Sequence, residues 1–375
     1  MKKMSMSLRN LYQDLLDRKI AQEMQFGESV SGMVDGSFVT KNISGNMYWY
    51  FQYRENNVTK QRYVGPETEK TREIIDRISK YQDFVSGQNL KEIVKTLKSV
   101  PGAPPLLKTE EKLLRSLELA GFFKNGGILI GTHAYRCYPF SVGFIPDSES
   151  ARTMDVDVAF NRTIDLFVPE GAEGISTRIL ERVKLTPLPS LDPKGRIYVF
   201  AVDGTDLKLE VLTTYRNHEE DGQLKNMNNV GFMGQPLPYM EFLTKEPVRA
   251  VILSGEGILT NVPSPDRYAV HKIMVSQVRP EESRAKRAKD LQQAMTILKT
   301  MESEYPSDLV SLEMEMRSLA IQYDQENKWN SGLQVFNKLL SMENASAISG
   351  LSIFSPDPEK SDTSDSPDIP RFRKR

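Results

Sequence analysis

The chain has 375 residues, 39% of them apolar, with 49 Lys+Arg against 50 Asp+Glu and a formal net charge of -1; at about 150 residues per domain this predicts two or three domains with a real core, and excludes a histone-like polycation or a wholly disordered chain. A single cysteine, Cys137, excludes a disulfide framework and any Cys-rich zinc or iron–sulfur site, and three scattered histidines (His133, His218, His271) do not have metal-site spacing. Any metal must therefore be held by carboxylates, which favours a hard cation such as Mg²⁺.

The start MKKMSMSLRN is basic, but an amphipathic, charged run follows it where a signal peptide would be continuously apolar. No stretch approaches the roughly 18 apolar residues of a spanning helix, so the expected location is the cytoplasm, with no membrane partner. Leu8, Leu11, Leu15 and Ile20 predict a packing helix over about 7–25. From Gly36 to Pro66, aromatic and β-branched residues punctuated by Ser44-Gly45 and Asn56-Asn57 predict three short antiparallel strands. Their Tyr48, Trp49, Tyr50, Tyr53, Lys60, Arg62 and Tyr63 suit either a nucleic-acid surface or a small sheet whose aromatics pack on a helix. Helices follow over 67–99, with Ile74, Ile75, Ile78, Tyr81 and Phe84 on a buried stripe, and the prolines from Pro101 to Pro105 mark a boundary.

A helix over about 109–121 leads into strands alternating with helices from 125 to about 215, then a Gly-, Asn- and Pro-rich loop over 217–238. A hairpin-like pair near 248–262 and helices over 265–300 and 307–342 complete the ordered part, and the Ser-, Asp- and Pro-rich end reads as a disordered tail. The divisions are 1–106, an N-terminal helix, sheet and helices; 107–262, the core; 263–350, a helical part; and 351–375, the tail.

The chemistry centres on MDVDVAF at 154–160. Side chains of a strand alternate, so Asp155 and Asp157 project from one face with Cβ atoms about 7 Å apart, close enough for divalent ions to bridge. Among apolar neighbours, two like charges repel unless a cation or hydrogen bonds compensate them; the other reading is an edge strand with two solvated aspartates. Upstream, Ile128, Leu129 and Ile130 form a short buried strand, Gly131 permits close backbone approach, and Thr132 is read as the N-cap of the next helix, a phosphate-type site. Downstream, RIYVFAVDGTDLKLEVLTTY predicts a hairpin turning at Asp203-Gly204. Its second strand puts Leu207, Leu209 and Val211 on one face and Glu210 on the other, a third carboxylate in mid-strand.

This order of strand, Gly-Thr helix start, Asp-x-Asp strand and later acidic strand resembles the nucleotidyltransferase fold of the DNA polymerase β superfamily. GGILIGTHAYRCY, Thr153 to Asp157, and PSPDRYAVHKIMVSQVR with KRAKDLQQA are most similar to a bacterial branch of nucleotidyltransferase-like proteins, and more distantly to the abortive-infection toxin nucleotidyltransferases. Two features depart from the compact members: Thr132 and Asp155 lie 23 positions apart, and the third acid is Glu rather than Asp. The resemblance implies an α+β fold, in which a mixed sheet with flanking helices is joined to the small N-terminal antiparallel sheet and a C-terminal helical part.

It also implies Mg²⁺- (or Mn²⁺-) dependent transfer of a nucleoside monophosphate from an NTP to RNA, protein or a small molecule. Asp155, Asp157 and Glu210 would hold the metal, and Gly131, Thr132 and Lys272 the phosphates. Arg284, Lys286, Arg287 and Lys289 suit a nucleic-acid acceptor, or a solvated basic face interleaved with Glu281, Glu282 and Asp290. His133 and His271 are expected to be structural or substrate-contacting, and Cys137 a buried small apolar residue. The alternatives are a non-catalytic nucleotide- or nucleic-acid-binding module, and the toxin of a toxin–antitoxin or phage-defence pair silenced by an antitoxin or regulatory partner.

Overall fold

Hydrophobic spacing near the N-terminus produces a 20-residue helix, α1 (Met6–Gln25), preceded by the two-residue strand β1 (Lys2–Lys3). The structure is a computed structural model that describes residues 2–25, 36–43, 45–55, 58–69, 71–72, 75, 90–100, 106–124, 126–145, 163–167, 184–188, 199–205, 207–214, 225–227, 232–279, 284–304 and 309–342. The three strands expected next are β2 (Gly36–Ile43), β3 (Asn46–Glu55) and β4 (Val58–Pro66), an antiparallel meander with a register shift between Trp49 and Tyr50. Of the apolar stripe expected in the following helices, Ile75 is described and buried, whereas Ile74, Ile78, Tyr81 and Phe84 lie outside the described residues. The tail from 351 onward lies outside them too.

Helices α2 (Leu90–Lys98) and α3 (Lys108–Leu119) come next, followed by β5 (Ile128–Leu129), the short helix α4 (Gly131–Tyr135), a π-helical turn at Pro139–Gly143 and β6 (Phe144–Ile145). β7 (Thr163–Phe167), β8 (Leu185–Pro187), β9 (Val199–Val202) and β10 (Lys208–Thr214) follow. The segment read as a loop over 217–238 contains two strands, β11 (Lys225–Met227) and β12 (Phe232–Leu237). Gly234 and Pro236 hid β12 from propensity. It pairs in parallel with only the last three residues of β10, at the end that β9 leaves open.

The central sheet is therefore mixed, with order β11-β12-β10-β7-β5. β10 runs parallel to β7 along one side, while β9 (antiparallel) and β12 (parallel) share its other side. After α5 (Met240–Thr244), the hairpin β13 (Val248–Ile252) and β14 (Ile258–Val262) forms as expected. The helical part is α6 (Pro265–Val278), α7 (Arg284–Glu304), α8 (Leu309–Gln322) and α9 (Glu326–Met342). α8 ends where Asp324 adopts φ 53, and Trp329 of α9 is fully buried with its Nε1 donating to Glu313 at 3.1 Å. α6 is buried from Arg267 to Met274, and α9 crosses it so closely at Gly332 that an added Cβ would lie 3.1 Å from the Ile273 carbonyl oxygen. Among the described residues, no helix is long and apolar enough to cross a membrane.

Met4, Tyr12 and Leu15 share one apolar cluster with Leu90, Val94 and Leu97 of α2, and with Phe140, Val251 and Leu259. The N-terminal helix thus docks on the β13–β14 hairpin. Tyr12 anchors that contact, since its hydroxyl accepts from the Val251 N–H at 2.9 Å and donates to the Val251 carbonyl at 3.2 Å. Tyr12→Phe strips both bonds from a buried backbone pair and is expected to cost about 1–3 kcal/mol in urea unfolding.

Candidate active site

At the end of β5 the chain turns sharply. Ile128, Leu129 and Ile130 are buried, and Gly131 takes φ +64, a region that side chains other than glycine rarely enter. Ile130 occupies the cap position of α4, so Thr132 is the second residue of that helix rather than the N-cap expected from sequence. The Gly131 carbonyl accepts from the Tyr268 hydroxyl at 3.1 Å, which ties this turn to α6. The Thr132 Oγ1 lies 3.5 Å from the ammonium of Lys289 on α7.

Beneath α4 lies a buried polar cluster. Glu110 of α3 accepts from Arg136 at 3.1 Å and lies 3.6 Å from His133 Nε2. Burial alone would raise the Glu110 carboxyl, but His133 and Arg136 outweigh it and hold it down at about 2. Burial keeps His133 neutral, with its pKa below the usual imidazole value. A depressed carboxyl stabilises the fold above its unfolded value near 4.3, and that contribution is lost as pH falls towards 2. Glu110→Gln is accordingly expected to cost about 3 kcal/mol at pH 7, with the difference from wild type shrinking below about pH 5 in urea titrations.

β10 presents two different faces. Leu207, Leu209 and Val211 are fully buried on one, as the alternation predicts, and Glu210 is half-buried on the other. Burial raises the Glu210 carboxyl above its usual value, opposed by Lys286 and Lys208. Lys286 and Lys289 are three residues apart and so neighbours on α7. One acts on Glu210 and the other lies beside Thr132. A single helix face therefore spans the two predicted halves of the site. Burial, aided by Arg136 and opposed by Asp290, lowers the Lys289 ammonium to about 8.

Lys272 has a different setting from the one expected. Its ammonium is 2.6 Å from Asp290 Oδ1 and stands over the Tyr268 ring, while Arg279 Nε reaches Asp290 Oδ2 at 2.6 Å. Asp290 is almost completely buried and does not belong to a solvated face. The pattern that marks it is Asp290, Ala294, Ile297 and Met301, a helical stripe whose other members are all buried. His271 is buried, with no hydrogen-bond partner for Nδ1 among the described residues, and its pKa is lowered to about 3 by burial first and Lys272 second. Cys137 is buried, which pushes its thiol up to about 12.

Asp155 and Asp157 lie outside the described residues. Among the described residues, no group of three or more His, Cys, Asp or Glu is placed to hold a metal ion. One carboxylate position escaped the sequence reading. The parallel register sets Asp165 of β7 directly beside Glu210, so the two positions lie on one face of the sheet. The signal was present in TIDLF, another acid flanked by apolar strand residues.

The model of a nucleotidyltransferase family matches residues 109–317, more than half of the chain. The chain belongs to this nucleotidyltransferase family. Within the nucleotidyltransferase domain fall α3, β5, the Gly131 turn, the central sheet, and α6 and α7 with Lys272, Lys286 and Lys289. A domain family of unknown function matches residues 8–73, which hold α1 and the β2–β4 sheet. Neither a curated protein nor a solved structure matches the chain.

Proposed function

We propose that this nucleotidyltransferase moves a nucleoside monophosphate from an NTP to an acceptor hydroxyl, with Asp155, Asp157 and Glu210 holding Mg²⁺ (or Mn²⁺) and Asp165 beside Glu210 as a further acid. The observation that carries this reading is the shared face of α7, whose Lys289 stands at Thr132 and whose Lys286 acts on Glu210. A half-buried carboxylate in mid-strand, with a second carboxylate position in register beside it, is an all-oxygen donor set of the kind a hard cation requires. When bound, Mg²⁺ supplies positive charge to the triphosphate and lowers the pKa of the attacking hydroxyl.

The chain's own groups do the rest. Gly131 and Thr132 take the β and γ phosphates, with Lys289 as the adjoining cation. Lys272, committed to Asp290, acts as a positioning residue that fixes α7 and with it Lys289. The acceptor oxygen bonds to the α-phosphorus, the bond to the bridging oxygen breaks, and pyrophosphate leaves. The hydroxyl proton passes to a carboxylate of the cluster. Incubation with Mg²⁺ or Mn²⁺ and each labelled NTP, alone and with total RNA, is expected to transfer label. Transfer that persists unchanged in Asp155→Ala and Asp157→Ala sinks this reading.

A further inference from the structure

The β2–β4 sheet is absorbed by neither the transfer site nor the helical core, and its two faces differ. Antiparallel cross-strand partners share a face, so the register Lys41↔Tyr48, Val39↔Tyr50 and Tyr50↔Tyr63 gathers these residues on one side, with Arg54 two positions beyond Gln52. Trp49 and its partner Gly65 fall on the opposite side. Around Gly65 that opposite side is covered, although Thr40 and Met47 on it are exposed. A Cβ on Gly65 would stand 3.3 Å from Thr71 Oγ1, the Trp49 Nε1 atom is buried, and Ile75 is buried a turn further on. On the first side Lys41, Thr59 and Gln61 are exposed, Tyr48 and Tyr50 are half-buried, and the Lys41 ammonium sits 4.8 Å from the centroid of the Tyr50 ring.

Charge complements this arrangement. Residues 36–66 carry Lys41, Arg54, Lys60 and Arg62 against Glu55, a net +3 within a chain of net -1. By register, Lys41 and Arg54 take positions on the Tyr48 and Tyr50 side, which holds no acid, and Lys60, Arg62 and Glu55 take positions on the other. Seven of these 31 residues are aromatic. A sheet face with rings at its centre and a cation beside them provides both terms that unstructured polynucleotides need, namely base stacking and phosphate neutralisation. A duplex hides its base faces and has no use for the rings.

We propose that the face of the β2–β4 sheet carrying Lys41, Tyr48 and Tyr50 binds single-stranded nucleic acid, its bases stacking on the tyrosines and its phosphates meeting Lys41. The inference is independent of nucleotidyl transfer, because binding is read without NTP or metal. The full chain is titrated into fluorescent single-stranded RNA, single-stranded DNA and duplex of about 20 nucleotides, and anisotropy is followed at about 50 and 200 mM salt. At least one single strand is expected to bind more tightly than the duplex. Tyr50→Ala should weaken binding about tenfold while Tyr50→Phe, which keeps the ring, leaves it within about twofold. Lys41→Glu, which leaves every ring in place, should weaken binding and flatten its salt dependence. Tighter binding of the duplex, no binding of any probe at the lower salt, or unchanged binding in both Tyr50→Ala and Lys41→Glu overturns the proposal.

Discussion

Glu210→Gln is expected to reduce label transfer from NTP by about a hundredfold to a thousandfold while leaving the fold intact. The substitution keeps size and shape, and it removes a charge that burial already makes costly. Stability should therefore stay level or rise slightly, which separates lost chemistry from lost structure. The magnitude is that of removing one preorganised electrostatic group from a site where charge develops on the transferring phosphoryl. Asp155→Asn and Asp157→Asn should fall at least as far. Lys289→Met should chiefly raise KM for the NTP, since a cation beside Thr132 binds phosphates in the ground state as well as the transition state. Retention of more than half the wild-type rate in Glu210→Gln removes that residue from the site.

Asp290→Ala is expected to have the largest effect on stability, about 3–5 kcal/mol. Its carboxylate is buried between Lys272 and Arg279 at 2.6 Å each, and truncation leaves two cations facing each other without it. Although burial opposes ionisation, the two cations win and hold the Asp290 carboxyl below its usual value. This contribution is thus complete above the ordinary aspartate range and is lost as pH falls through the lowered value. Urea midpoints of wild type and Asp290→Ala should converge on acidification. Because the Asp290 cluster clamps α6 to α7 next to Lys289, the variant should also weaken NTP binding even where it remains folded. A loss below about 1 kcal/mol at pH 7 would show that the clamp is not structural.

How much of this was legible in sequence depended on whether a signal was local. α1, the three-stranded meander, the Asp203-Gly204 hairpin and the 248–262 hairpin announce themselves by period and turn residues within a few positions of each other. Glu210 stood out for the same reason, as an acid in an otherwise apolar alternation. β12 did not, because FMGQPL is a poor strand by propensity and exists through its parallel pairing to β10. The setting of Lys272 was equally hidden, because Asp290 lies 18 positions away on another helix. Asp165 became prominent only once register placed it beside Glu210.

Nucleotidyl transfer as proposed requires Asp155, Asp157 and Glu210 to converge near Gly131. The most direct test is a crystal structure of the full chain with Mn²⁺ and a non-hydrolysable NTP. Asp155, Asp157 and Glu210 are expected to share metal ions at about 2.1 Å, with the triphosphate running to Gly131, Thr132 and Lys289. A nucleotide bound elsewhere, or ions that leave Glu210 and both aspartates unligated, would contradict it.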